Sequence, residues 1–181
     1  MIVDVILVVA GALLIGVYMS WRAGRLDRLH GRVEMARAAL DATLLRRSSV
    51  ALELASSGML DPATSLLLAE AAHRARGRSG SLDDDGRPRD LAESDLTRAL
   101  RAVFSQPDFR ASLEEKDSGA DELLAETEGA AHQVFLARKF YNDAVGATRE
   151  ARRRPLARLL RLAGKAPCPE FFEMDDSLVA A

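Results

Sequence analysis

The first twenty-one residues, MIVDVILVVAGALLIGVYMSW, limit what this chain can fold into more than any other segment does. No charged side chain occurs from Val5 to Met19. The stretch has about the ~20 apolar residues that an α-helix needs to cross the hydrocarbon core of a bilayer. The sequence therefore predicts a single transmembrane helix over residues 1–21, with the bilayer itself as a partner.

The charges that flank this helix predict its orientation. Arg22, Arg25, Arg28 and Arg32 follow the apolar run, whereas Asp4 lies on its other flank. Because basic residues are retained on the cytoplasmic side, we expect the N-terminus outside the cell membrane and the body of the chain in the cytoplasm. The residues expected to form the anchor and mark its interface are Val5, Leu7, Leu14, Tyr18, Trp21, Arg22 and Arg25.

Two other interpretations of the apolar run fit less well. A cleaved signal peptide normally begins with basic side chains and ends at an A-x-A-like site, and neither is present here. A buried helix of a soluble protein would need partners on every side, because this helix is apolar all round.

The composition predicts an all-α protein. Aromatic residues make up only 5% of the chain, and β-branched residues become scarce after the apolar run, which argues against a sheet. The net charge of −2 gives no overall field that would attract nucleic acid. Cys168 is the one cysteine, so no disulfide forms within the chain and no Cys-x-x-Cys zinc or redox motif exists.

Apolar residues with helical spacing continue beyond the membrane segment. On the first helix they are Leu26, Leu29, Val33, Ala36, Leu40, Leu44, Val50 and Leu54. We expect this helix to end near Gly58, and a second helix to begin with Asp61 as its cap and Pro62 in its first turn. Further helices are predicted over 91–104 and 109–154, with a polar, mobile linker at 77–90 and an irregular acidic tail at 166–181. The prediction is a transmembrane helix that continues into an elongated antiparallel four-helix bundle over residues 22–165.

The segment FYNDAV lies in the middle of the predicted fourth helix. Tyr141 falls on one apolar stripe with Val134 and Val145, and Phe140 neighbours Leu136. We expect the two aromatic residues together to widen the buried face, with Asn142 turned toward polar surroundings.

The sequence ETEGAAHQVFLARKFYNDAV resembles the signature of the LemA family, in which a glutamate-rich helix leads into an Arg, aromatic-Tyr-Asn-x-x-Val segment. DLTRALRAVFSQPDF resembles the family's Leu-rich helix and Pro-Asp turn, and PEFFEMDD resembles its Phe-Phe-Glu tail. The likeness covers nearly the whole chain, although ATRE stands where a second Tyr-Asn pair is expected. The motif residues are Arg138, Phe140, Tyr141, Asn142, Val145 and Pro155.

The resemblance implies a bacterial single-pass membrane protein with a cytoplasmic helical bundle and no established enzymatic activity. It implies no cofactor. We therefore expect an interaction or scaffold module that contacts an unidentified membrane or cytoplasmic protein. A self-associating coiled-coil spacer is an alternative, in which the partner is a second copy of the chain.

A metal-dependent bundle enzyme is a further alternative. Glu70 and His73 have the Glu-x-x-His spacing of di-iron bundles, but a second such pair is missing. Glu128 and His132 are four residues apart, and Glu34, Glu53 and Glu126 are the remaining candidates. Solvated polar side chains explain the same residues, and no catalytic motif is present.

The end of the fourth helix is strongly basic. In PLARLLRLAGK the leucines share one face and the basic residues lie toward the other, as in a helix that rests on an anionic bilayer. The residues expected to contact the membrane surface are Arg154, Arg158, Arg161 and Lys165. A solvated basic helix end is the simpler interpretation. Nucleic-acid binding is not expected, because no aromatic residues are interleaved with the arginines.

Overall fold

The computed structural model describes residues 1–77, 89–106, 118–155 and 167–177. The described residues form four helices and no strand: α1 spans Ile2–Ser56, α2 Pro62–Arg76, α3 Arg89–Phe104 and α4 Ser118–Arg153. The all-α prediction is confirmed for this part of the chain. Most of the predicted linker at 77–90 and the predicted start of the fourth helix at 109–117 lie outside the described residues.

Helix α1 runs without a break from the apolar segment into the amphipathic one. Among the described residues it is the one helix long and apolar enough to cross a membrane. The large apolar side chains of its first part face outward: Leu14 is 72% exposed and Trp21 is 57% exposed. The prediction of one continuous helix through both segments is confirmed.

The turn between α1 and α2 is built from the residues that the sequence indicated. Gly58 adopts a φ of +75°, a left-handed conformation that ends helices and that glycine tolerates best. The Asp61 carboxylate accepts hydrogen bonds from the backbone N–H groups of Ala63 (3.0 Å) and Thr64 (3.1 Å). Pro62 occupies the first turn of α2, where its missing N–H costs nothing.

The chain divides into two units, of which the second comprises Ala38–Phe140 and Phe172–Ala181. Its core is apolar and draws on α1, α2 and α3, with partly buried leucines of α4 packed against it. The fully buried leucines of this cluster are Leu54, Leu68, Leu96 and Leu100. Alanines of α2 belong to the same buried cluster.

Polar contacts give the relative direction of α1 and α3 within this unit. Arg89 donates to Asp41 at 2.6 Å, and Arg47 donates to Glu93 and Thr97. The residue numbers increase along both helices from the first contact to the second, so α1 and α3 are parallel.

The first unit comprises Met1–Arg37 and Tyr141–Phe171. Leu26 and Val33 of α1 are buried, as are Tyr141 and Val145 of α4. The hydroxyl of buried Thr148 donates to the Ala144 carbonyl at 2.8 Å. The stripe predicted for Tyr141 and Val145 is confirmed.

Buried residues recur every seventh position along two of the helices. On α1 they are Leu26, Val33, Leu40, Arg47 and Leu54, and on α4 they are Thr127, Val134, Tyr141 and Thr148. A seven-residue period is the spacing of a coiled-coil seam, in which each helix buries one narrow stripe. One position in the α1 stripe is occupied by an arginine.

We expect Asp61→Ala to lower the melting temperature at neutral pH, because two backbone donors of α2 lose their acceptor. Hydrogen bonds from Thr64 hold the pKa of Asp61 below its usual value of 3.8. The cap therefore stabilises the fold above that value and loses this effect as the pH falls through the lower, folded-state pKa. Asp61→Asn is the matched control, because it keeps a cap that does not titrate. The melting temperatures of the unaltered chain and Asp61→Ala should differ at pH 7 and converge in strong acid, whereas the difference between Asp61→Asn and Asp61→Ala should not change with pH. A pH-independent difference between the unaltered chain and Asp61→Ala would contradict this account.

Candidate functional site

The most buried polar cluster in the described chain joins α1 to α3. Arg47 is 2% exposed, Glu93 is 1% exposed and Thr97 is 0% exposed. The Arg47 guanidinium donates to the Glu93 carboxylate at 2.6 Å, to the Glu93 carbonyl at 3.1 Å and to the Thr97 hydroxyl at 3.0 Å. Since these acceptors lie one turn apart on α3, a single side chain fixes α1 against α3 in position and in rotation.

This cluster was not predicted from the sequence. Arginine and glutamate are mostly exposed in proteins, and Arg47 and Glu93 carry no motif that marks them as exceptions. The seven-residue period of the apolar stripe could have indicated that Arg47 is buried, because it lies seven residues after Leu40 and seven before Leu54. The arrangement uses its charged groups to align helices.

The C-terminal tail is the second polar assembly, and its first part belongs to the first unit. The Tyr141 hydroxyl donates to the Glu170 carbonyl at 2.9 Å, and Arg152 donates to the Pro167 carbonyl at 2.8 Å. The Arg149 guanidinium lies 5.1 Å from the centroid of the Phe171 ring, within cation–π range. Three side chains of α4 thus hold a non-helical segment.

The second part of the tail, residues 172–177, is here called the acidic strap. It lies in the second unit, where side chains of α3 and α4 hold it. Arg101 of α3 pairs with Asp175 at 2.9 Å, and Arg138 of α4 pairs with Asp176. The backbone N–H of Asp175 donates to the Ser94 hydroxyl at 3.0 Å.

Two further features fix the acidic strap. Met174 is buried, so an apolar side chain is enclosed beside the two charged ones. The Asp175 carboxylate also accepts hydrogen bonds from the hydroxyl and the backbone N–H of Ser177, at 2.6 and 3.0 Å. These bonds, together with the charge of Arg101, hold the pKa of Asp175 below its usual value of 3.8. The carboxylate is therefore ionised, and its contacts intact, throughout the neutral range.

The residues of the LemA-like motif differ from one another in how deeply they are buried. Tyr141 and Val145 are buried as expected, Asn142 is half-buried, and Pro155 lies just beyond the end of α4. Phe140 is 64% exposed, so the expectation that it widens the buried face is wrong. Phe140 points about 100° away from Tyr141 on the helix, off the face on which Tyr141 and Val145 are buried.

Only some of the side chains predicted to form the anchor or to contact the membrane surface are described by the structure. Exposed positions are Val5, Leu7, Leu14, Tyr18, Trp21, Arg25 and Arg154. The side chain of Arg22 lies outside the described part of the structure, as do Arg158, Arg161 and Lys165. The tail forms no helix or strand over 167–177.

The residues of the metal alternative are not assembled in the described chain. Glu70 forms an ion pair with Arg74 at 3.0 Å, on the surface of α2, and His73 is exposed. Within the described ranges no three His, Cys, Asp or Glu side chains converge as metal ligands would.

Comparison with known proteins adds no family to these observations. No family model matches the chain, and neither a curated protein nor a solved structure matches it.

We expect Arg47→Met to lower the free energy of unfolding by about 3–5 kcal/mol, because the buried Glu93 carboxylate loses its cationic partner. Chemical denaturation of the purified protein measures this change. The matched control is Arg46→Ala at the exposed Arg46–Glu126 pair, where a change within about 1 kcal/mol is expected.

The double variant Arg47→Met/Glu93→Leu should recover most of the loss, because no charge then stays buried. A loss as large as that of Arg47→Met alone would show that the ion pair itself stabilises the fold.

Proposed function

We propose that this chain is a single-pass membrane protein whose helical body lies at the cytoplasmic face of the membrane and presents surfaces to other proteins. The observation that carries the proposal is α1, in which an exposed apolar segment continues directly into a stripe that is buried in the body. Within the described structure, the first part of this helix is apolar and exposed, whereas its second part contributes buried residues to the helical body.

The exposed apolar segment is poorly suited to water. None of the residues in its apolar window is buried within the described structure. Each large aliphatic side chain left in water costs roughly 1.5–3 kcal/mol relative to an apolar environment. The hydrocarbon core of a bilayer removes that cost along the whole segment and leaves its backbone hydrogen bonds internal to the helix.

The orientation rests on the charges at the two flanks. Arg25 is exposed immediately after the apolar segment, and further arginines follow on the same side. Asp4 lies on the opposite side. This asymmetry favours a cytoplasmic body.

The proposal extends to the fold, because the LemA-like motifs imply an antiparallel four-helix bundle. In the second unit α1 and α3 are parallel, as the first and third helices of an up-down-up-down bundle are. Within each unit α1 also contacts α4: the Thr148 hydroxyl lies 3.5 Å from the Leu29 carbonyl in the first, and Arg46 pairs with Glu126 at 3.3 Å in the second.

A role in binding is favoured over a role in chemistry by how the polar groups are used. The buried polar side chains Arg47, Glu93 and Thr97 make contacts between helices, and the tail carboxylates make ion pairs with the body. Leu136 and Phe140, one turn apart on α4, are exposed apolar side chains of the kind found at protein interfaces. We therefore propose a scaffold with an unidentified protein partner.

Cysteine labelling tests the proposed topology. Cys168 is exposed, so a membrane-impermeant maleimide will react with it wherever the reagent has access. We expect Cys168 to be labelled only after the cells are permeabilised, and the full chain to stay in the membrane fraction at alkaline pH.

The matched control moves the thiol to the other flank. In the variant Cys168→Ser/Val3→Cys, we expect labelling of intact cells. Labelling of Cys168 in intact cells would reverse the orientation, and recovery of the full chain in the soluble fraction would refute the membrane anchor.

A further inference from the structure

The acidic strap occupies its position on α3 and α4 through chemistry that a separate peptide could reproduce. It contributes one buried apolar side chain, two carboxylates and one backbone N–H, supplied by the consecutive residues Met174, Asp175 and Asp176. The body supplies Arg101, Arg138 and the Ser94 hydroxyl. The strap is not part of a helix. The surface of α3 and α4 that holds it, here called the seat, therefore accepts a non-helical segment.

The strap is held by contacts that are individually modest. Arg101 and Asp175 are 46% and 36% exposed, and the Arg138–Asp176 pair is only partly buried. Partly exposed ion pairs contribute little each and are weakened by salt. Their combined hold is strong enough to seat a segment of the same chain, because that segment is always nearby.

We propose that this surface of α3 and α4 is a docking site for an extended acidic segment of a partner protein, and that the strap is the chain's own occupant of it. The partner segment carries an apolar side chain followed by two carboxylates. Binding requires the strap to leave, so the strap sets a threshold for partner binding. This inference rests on the proposed role in protein interaction and names the chemistry of the partner.

The test uses the full chain in detergent and a fluorescent peptide with the sequence EFFEMDDS, that of residues 170–177. Asp175→Asn/Asp176→Asn keeps the whole tail but removes both carboxylates from their arginines. If the strap competes with the peptide, this variant should bind the peptide about tenfold more tightly than the unaltered chain, in a fluorescence anisotropy titration.

The control variant Glu170→Gln/Glu173→Gln also removes two carboxylates from the tail. Both side chains are exposed, so peptide affinity should stay at the level of the unaltered chain. Equal peptide binding by all three proteins, or by none, would overturn the proposal.

A charge reversal tests the seat itself. Arg101→Glu/Arg138→Glu, added to the Asp-to-Asn variant, should reduce binding of the acidic peptide at least about tenfold. A peptide with lysine at both aspartate positions should recover binding to this variant alone. Circular dichroism checks that the helices persist, and absence of this recovery would refute the assignment of the two arginines.

A second copy of the chain is the rival occupant. Sedimentation of the unaltered chain distinguishes the two: a dimer that the peptide dissociates would assign the seat to the tail of another copy and overturn the proposal. Peptide binding in detergent does not depend on membrane orientation. A failure here therefore leaves the topology experiment unaffected, and reversed topology leaves this binding intact.

Discussion

The buried ion pair between Arg47 and Glu93 is the interaction on which the alignment of α1 and α3 in the second unit depends. Apolar stripes tolerate sliding and rotation, since one leucine replaces another at little cost, but a buried guanidinium accepts only the position that satisfies it. Here one arginine reaches a carboxylate, a carbonyl and a hydroxyl on α3. A polar residue in a heptad stripe specifies alignment at some expense in stability. The core leucines supply the stabilisation, and this pair selects among the packings that they would allow.

The sequence predicted those parts of the fold that depend on neighbouring residues. The turn from α1 to α2 follows from Gly58, Asp61 and Pro62, whose conformational preferences act within a few residues. The buried stripe follows from spacing alone. Arg47 was missed because arginine is usually exposed, whatever its position in a stripe. The ion pairs of the tail were missed because Asp175 and Arg101 are separated by 74 residues in the chain. Such pairs depend on tertiary structure that no local pattern encodes.

Phe140 and Tyr141 show the same limit at one site. The two aromatic residues point about 100° apart on the helix, and we expected both to be buried, as a wide apolar face would require. The buried face of α4 includes Tyr141, whose hydroxyl donates to a carbonyl in the tail, and leaves Phe140 exposed. Which of the two aromatic residues is buried thus depends on which face of α4 packs, and that is set by tertiary structure. The exposed one then becomes part of the surface on which a proposed partner depends.

The separation of Arg47 from Glu93 has a consequence for the synthesis of the chain. Glu93 is made 46 residues after Arg47, an interval of roughly 2 to 9 seconds at ordinary elongation rates. During that interval the guanidinium lacks the α3 groups that accept its hydrogen bonds in the folded chain. The contact that aligns α1 with α3 therefore forms only after all of α1 has been synthesised. In the proposed membrane-anchored chain, this order gives the apolar segment time to enter the bilayer before the two helices are aligned.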